Sequence, residues 1–262
     1  MDFEVIVIGG GAAGMLAAIQ CAQLGRKTAL IERNEKVGRK LAITGKGRCN
    51  VTNNADRDTV LKNIPRNPRF LYSALSAFSP EDVMNFFEGE GVPLKTERGN
   101  RVFPVSDRAY DIVDALYGRL KKCGVMVIRA RAEEILTEDG EAAGVRTDRG
   151  DFRASRVILA TGGLSYPVTG STGDGYRMAE RLGHTVVPPK PSLVPIETKE
   201  NCAEMMGLSL KNAVLSVRDN EKGKIIFSEM GEMLFTHFGV SGPLVLSASA
   251  HMEPFREGRY TL

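Results

Sequence analysis

The sequence of 262 residues has no tryptophan, three histidines, four cysteines and only 6% aromatic residues. Cys21, Cys49, Cys123 and Cys202 lie far apart with no C-x-x-C, which excludes a zinc ribbon or a redox dithiol and fits a reducing, cytoplasmic setting. His184, His237 and His251 show no ligand spacing, so no metal is expected. The formal net charge of +3 is too small to argue for nucleic acid, and repeats and low-complexity tracts are missing. One long run lacks charge altogether, Val5 to Gly25. Its length approaches the roughly 20 residues of a membrane span. However, the preceding Met1-Asp2-Phe3-Glu4 is acidic where a signal peptide needs cations, and Gly9, Gly10 and Gly11 would break a helix near its start. No membrane association is expected.

What this run does contain is a strand, a glycine turn and a helix, in that order. Val5 to Ile8 is a β-branched stretch suited to a strand buried on both faces, and Gly9-x-Gly11-x-x-Gly14 leads into an apolar helix ending near Gly25. A second β-prone run, Thr28 to Ile31, finishes in Glu32, about 20 residues beyond the glycines, where an acid can bond ribose hydroxyls. Gly9 permits the turn, Gly11 lets backbone approach a pyrophosphate, Gly14 lets helix and strand pack closely, and the helix N-terminus offers free N–H groups. The pattern points to a dinucleotide.

Farther along, helices are expected over Pro68–Phe78 and Pro80–Glu90, the second capped by Ser79, and a long amphipathic helix preceded by Ser106 or Asp107 as its cap runs to about Cys123. A strand at Val125–Ile128 precedes a meander of Ala132–Thr137, Ala142–Thr147 and Asp151–Ala154, with another buried strand running from Arg156 into Gly162-Gly163. A helix over Gly175–Leu182 follows. Pro188-Pro189-Lys190-Pro191 reads as a linker, dividing residues 1–190 from a β-rich, barrel-like second domain, 191–262, with a helix near Pro243–Ala250. Arg259 to Leu262 looks like a strand starting without a partner.

The segment from Gly38 to Asn50 packs Arg39, Lys40, Lys46 and Arg48 among glycines, where cations and backbone N–H groups can meet a pyrophosphate; it also reads as a solvated basic loop open to any polyanion. Taken with "GRKLAITGKGRCNVTN", "RVFPVSDRA", "ILATGGLSYPVTGSTGDGYRMAERLGH", "SLVPI" and "GEMLFTHFGVSGPLVLSAS", the chain resembles the FAD-binding flavoprotein family of aminoacetone oxidase and the bile-acid-pathway reductases over its whole length. The resemblance implies an α/β fold: a Rossmann-like FAD-binding domain with a small antiparallel meander, then the start of the β-rich domain, inserted for substrate. It implies FAD contacts from Gly9, Gly11, Ala12, Ala13 and Gly14 at the pyrophosphate, and from Glu32 with Arg33 at the adenosine ribose. Lys40, Gly47, Arg48, Cys49 and Asn50 would line the path toward the flavin, Ala132 would meet adenine, and Thr161, Gly162, Gly163 and Asp174 would make a second approach. Such relatives close the first domain with a later glycine-rich segment that Gly231 to Leu262 does not match, so this chain is expected to be part of a longer protein with an open flavin-ring site.

Several residues keep two readings. Cys49 beside Arg48 could be a reactive thiol or a packed one. Tyr166 could face the flavin or pack under the glycine turn, and Arg101 and Arg108 could bind an acidic substrate or serve the surface. No catalytic acid, base or nucleophile stands out. The expected function is FAD-dependent hydride transfer to or from a small molecule, with NAD(P)H as a candidate partner and no nucleic acid. A nicotinamide-dependent dehydrogenase on the same Rossmann half, or a non-catalytic nucleotide-binding or RNA-associated module, are the alternatives.

Overall fold

The computed structural model describes residues 2–262 of the chain, which divide into two compact units, 1–186 and 187–262. In the first, β1 (Asp2–Ile8) leads through the glycines into α1 (Ala12–Gln23) and back along β2 (Thr28–Glu32). A long excursion follows: α2 (Arg39–Ile43), β3 (Thr52–Asn53), α3 (Arg57–Lys62), α4 (Tyr72–Ala77), α5 (Pro80–Gly89), β4 (Leu94–Glu97) and β5 (Arg101–Pro104). Helix α6 (Ala109–Lys122) returns it to β6 (Met126–Arg129), after which β7 (Ala132–Glu138), β8 (Glu141–Thr147), β9 (Gly150–Leu159) and α7 (Asp174–Arg181) complete the unit.

The main sheet runs β6-β2-β1-β9-β8-β7, parallel across its first four strands. Strand β1 is central, and its side chains alternate between two cores. Val5 and Val7 pack with Met15 and Ile19 of α1 and Ile112, Leu116 and Leu120 of α6; Ile6 and Ile8 pack with Ala29, Ile31, Val145 and Met178. Each fully buried Ile or Leu here withdraws enough apolar surface for about 1.5–3 kcal/mol, which is why an uncharged run so near the N-terminus stays folded in the sheet.

Three expectations are corrected. The stretch Pro68–Phe78 is a 3-10 turn over Pro68–Leu71 followed by the short α4, because none of its residues is buried and an unsupported helix of this length is marginal. Neither Ser106 nor Asp107 caps α6: the Ser106 hydroxyl bonds the Asp111 carboxylate at 2.6 Å, and Asp107 turns at φ 55° with its carboxylate taken by Lys95 and Arg48. The two strands expected over 151–160 are the single β9, antiparallel to β8 through Arg153 and parallel to β1 from there on. Its polar Ser155 is no break, since the hydroxyl bonds the Glu4 carbonyl at 3.1 Å.

In the second unit, β10 (Ile196–Glu197), β11 (Ser209–Asp219), β12 (Lys224–Thr236), β13 (Gly239–Ser241), α8 (Pro243–Ser249) and β14 (Tyr260–Thr261) form an antiparallel sheet of order β10-β13-β12-β11-β14. The order is open, with β10 and β14 as its edges. Val217, Phe227, Val240, Leu244 and Val245 centre its core. Tyr260–Thr261 does have a partner, pairing with Arg218 and Asp219 of β11, and the buried Arg259 guanidinium donates to Asp219 at 3.0 Å. That ion pair anchors the strand that sequence left unpaired. Among the described residues no helix is long and apolar enough to cross a membrane.

Candidate functional site

Because Ile8 is in register with both Ile31 and Leu159, the C-terminal ends of β1, β2 and β9 stop at one level. They release Gly9–Gly11, Glu32–Asn34 and Ala160–Gly162 around a cleft of about 350 Å³. This is where parallel α/β sheets bind ligands, and the volume falls in the range of about 300–1,000 Å³ typical of small-molecule sites.

The three fingerprint glycines are constrained in different ways. Gly9 has φ 110°, and a Cβ there would lie 2.4 Å from the Ala160 carbonyl oxygen. A Cβ on Gly14 would lie 1.8 Å from the Gly9 oxygen, so helix and turn touch backbone to backbone. Gly11 differs: a Cβ would meet no protein atom within 4 Å, and its open side is the cleft itself. Beyond it, Ala12 and Ala13 line the cleft at the start of α1, whose first turn has no acid and no side-chain cap. The first N–H groups of a helix have no partner within it, and here its positive end borders the cleft without a side-chain cap.

Glu32 sits opposite and organises the turn. One carboxylate oxygen accepts from the Gly10 N–H at 2.7 Å, and the other accepts from the Asn34 N–H and side-chain amide, each at 2.7 Å. Asn34 also donates to the Thr169 carbonyl at 3.2 Å and accepts from Arg39 at 3.0 Å, tying the end of β2 to the 162–174 loop. Lys40 reinforces that tie with bonds to the Ser165 carbonyl and the Ser171 hydroxyl, both 2.7 Å. Arg33 pairs with Asp174 at 2.7 Å. Burial pushes the Asp174 carboxyl up, but the Thr172 hydroxyl and the charges of Arg177 and Arg33 outweigh it and hold it below the ordinary carboxylate value. Four cations (Arg33, Arg39, Lys40 and Arg131) and two carboxylates (Glu32 and Asp174) line the cleft, so its wall is net positive. Among the described residues the side-chain charges of Arg39, Lys40 and Arg131 make no ion pair, although the Arg131 backbone N–H donates to Asp148 at 2.8 Å, so those charges remain for an anion.

Gly9, Gly11, Ala12, Ala13, Glu32, Arg33, Lys40, Ala132, Thr161, Gly162 and Asp174 all line this cleft. Gly14 supports from behind, and Gly163 faces the Tyr176 hydroxyl instead. Gly47, Arg48, Cys49 and Asn50 are not on the wall. Arg48 bonds Glu97 at 2.6 Å and Asp107 at 2.9 Å with its guanidinium 4.0 Å from the Phe103 ring centre, so its charge is already matched. Cys49 is fully buried at φ 61°, and burial pushes its thiol up, the surroundings of a packed residue. Tyr166 is 66% exposed, so it is not packed under the glycine turn. Arg101 bonds the Arg98 carbonyl and Arg108 approaches Asp111, both at the surface. Among the described residues no cluster could hold a metal. Sequence reasoning passed over Gly10, Asn34 and Ser171. Ser171 lies inside the quoted "GGLSYPVTGSTGDG" block, whereas nothing but adjacency to Glu32 marks Asn34.

Comparison with known proteins gives the same architecture. The family described as "HI0933-like protein Rossmann domain" matches residues 3–250. A ribosomal RNA dihydrouridine synthase of Escherichia coli is 35% identical over 254 residues, 96% of this chain and 62% of that protein. A 3-dehydro-bile acid delta(4,6)-reductase of Clostridium scindens is 32% identical over 249 residues, 94% of this chain and 59% of that protein. This chain thus spans about three fifths of the length of these relatives. Among solved structures, a 3-ketosteroid-delta4-(5alpha)-dehydrogenase from Rhodococcus jostii superposes with a TM-score of 0.54 at 19% identity, over 70% of this chain and 54% of that one. At that identity the likeness is one of fold.

Proposed function

The chain belongs to the family of the HI0933-like protein Rossmann domain, and from that premise we propose that it binds FAD in the α1 cleft and serves an oxidoreductase that reduces a carbon–carbon double bond activated by a carbonyl group. The observation that carries the cofactor reading is Gly11, which lines the cleft at an uncapped helix N-terminus and whose missing Cβ would meet no protein atom within 4 Å. The α1 N–H groups and Lys40 would hold the pyrophosphate, and Glu32, fixed by Asn34 and Gly10, would accept from the adenosine ribose. FAD, when bound, supplies a ring that takes up or delivers a hydride. The chain's own part is position and electrostatics.

The direction and substrate class rest on two relatives whose names state what they make or reduce: dihydrouridine in ribosomal RNA, and a bile acid unsaturated beside a 3-oxo group. Both names describe saturating a double bond conjugated to a carbonyl. Only one glycine fingerprint is present, so NAD(P)H would act as a visiting electron donor without a Rossmann site of its own. The test is anaerobic. FAD-loaded chain, reduced by NADPH or dithionite, is mixed with a uridine-containing RNA or a steroid 4-en-3-one; reoxidation of the flavin with a two-hydrogen mass gain in one of these supports the reading. Flavin that stays reduced with both overturns the substrate class, and a colourless chain that binds NADH through Glu32 overturns the cofactor.

A further inference from the structure

From Asn53 to Ser79 not one residue is buried, although this stretch holds Val60, Leu61, Ile64, Phe70, Leu71, Tyr72, Leu75 and Phe78. It forms a lobe of α3, a 3-10 turn and α4 standing off the sheet core, within the excursion between β2 and β6. Residues 57–78 carry four cations, Arg57, Lys62, Arg66 and Arg69, against the single carboxylate Asp58. That local excess of +3 equals the net charge of the whole chain. Aromatic rings are interleaved with these cations: Phe70 is 85% exposed, Tyr72 49% and Phe78 41%. The Arg57 guanidinium lies 4.5 Å from the centre of the Tyr72 ring, so cation and ring already form one flat surface.

We propose that this lobe, residues 57–78, is a docking surface for single-stranded RNA. Exposed rings accept stacked bases whatever their identity, and cations between them follow the phosphates. The alternative occupant, an apolar protein face, fits less well, because it would leave the excess of +3 over residues 57–78 unmatched, whereas a polyanion neutralises it phosphate by phosphate. A duplex is also disfavoured as a ligand, since its base faces are already stacked on each other. The inference deepens the reductase reading by naming what would carry the substrate base, and it replaces the expectation of no nucleic acid that the small overall charge had supported. Its test does not depend on turnover.

The measurement is fluorescence anisotropy of labelled oligouridine RNA titrated with the 262-residue chain across a range of salt. Salt-dependent binding is expected, weakened about tenfold or more by Phe70→Ala. In Lys62→Glu/Arg69→Glu, the log–log salt slope should fall by about 0.7 for each phosphate that the variant no longer neutralises. A matched reversal on α6, Lys121→Glu/Lys122→Glu, should leave binding unchanged. Phe70 and Lys62 are exposed, so melting temperature and FAD binding should be unaltered in the lobe variants, which separates this result from failure of the cofactor reading. Absence of RNA binding at low salt, or binding indifferent to both lobe variants, overturns the proposal. So does sedimentation showing that the lobe variants convert a dimer to a monomer with RNA binding intact, which would make the lobe a contact with a second copy.

Discussion

Gly11 and Gly14 belong to one motif yet should fail in opposite ways when each is replaced by alanine. At Gly14 the new Cβ would lie 1.8 Å from the Gly9 carbonyl oxygen, a backbone atom held by the strand and unable to rotate away. Relief requires shifting α1 off β1 by more than an ångström, across the packing of Met15 and Ile19 on Val5 and Val7. Overpacking of that kind costs about 1–3 kcal/mol and sometimes more. With about 2–4 °C per kcal/mol for a domain of this size, Gly14→Ala should lower the melting temperature of the first unit by roughly 2–12 °C, toward the upper end because the clash is with backbone. At Gly11 the Cβ meets no protein atom, and φ is −79°, open to any residue. Alanine is a poorer N-cap than glycine, but it also restricts the unfolded chain, and these terms of about 0.5–1 kcal/mol each nearly cancel. Gly11→Ala should therefore melt within about 3 °C of the parent while its Cβ stands where the pyrophosphate must approach. Thermal unfolding by circular dichroism, paired with FAD titration by flavin fluorescence, reads both effects. A Gly11→Ala protein that binds FAD as the parent does, or that is destabilised as much as Gly14→Ala, would refute this reading of the cleft.

Removing the Glu32 carboxylate by Glu32→Ala should weaken FAD by about 1.5–3 kcal/mol, the worth of a charge-assisted hydrogen bond, as read by the same titration. Glu32→Gln should rescue little, because its oxygen can face either Gly10 or Asn34 but its NH2 then confronts the other donor. Lys40→Ala should weaken FAD more at low salt than at high, whereas Arg48→Ala, whose charge is matched by Glu97 and Asp107 at the surface, should leave FAD affinity alone at every salt concentration. In the second unit, burial raises the Asp219 carboxyl, but the bond from Arg259, with the Lys222 N–H and both positive charges, brings it below its ordinary value. A depressed carboxyl stabilises fully above the unfolded value of about 3.9 and loses that contribution as pH falls through its folded value. Melting curves of the parent and Asp219→Asn should thus differ at pH 6 and converge toward pH 2.

The Rossmann half was legible because local rules and tertiary packing agree there. A β-branched run, glycines at fixed offsets and an acid at a strand end each have one physical use, and Gly9, Gly11 and Glu32 all border the same cleft. The basic segment 38–50 was legible only in part. Composition shows its cations, but which of them face a ligand depends on partners far along the chain: Glu97 and Asp107 claim Arg48, while Lys40 is left with only neutral acceptors. Asn34 escaped notice for the same reason, since its role depends on the Thr169 loop 135 residues away. The final strand was misjudged because pairing with β11 is a nonlocal fact, fixed by the buried Asp219–Arg259 contact. The cations of segment 38–50 have no aromatic residue among them, whereas "RNPRFLY" from Arg66 to Tyr72 carries cations and rings together.

The central claim is that the cleft grips FAD by its adenosine diphosphate half, through α1, Lys40 and Glu32. Competition among FAD, FMN and ADP for the purified chain tests it most directly, followed by flavin fluorescence at fixed ionic strength. Saturable FAD binding that ADP displaces, with FMN binding far more weakly because it lacks the adenosine half, is the predicted result; equal affinity for FAD and FMN, or FAD binding that ADP leaves untouched, would contradict the account.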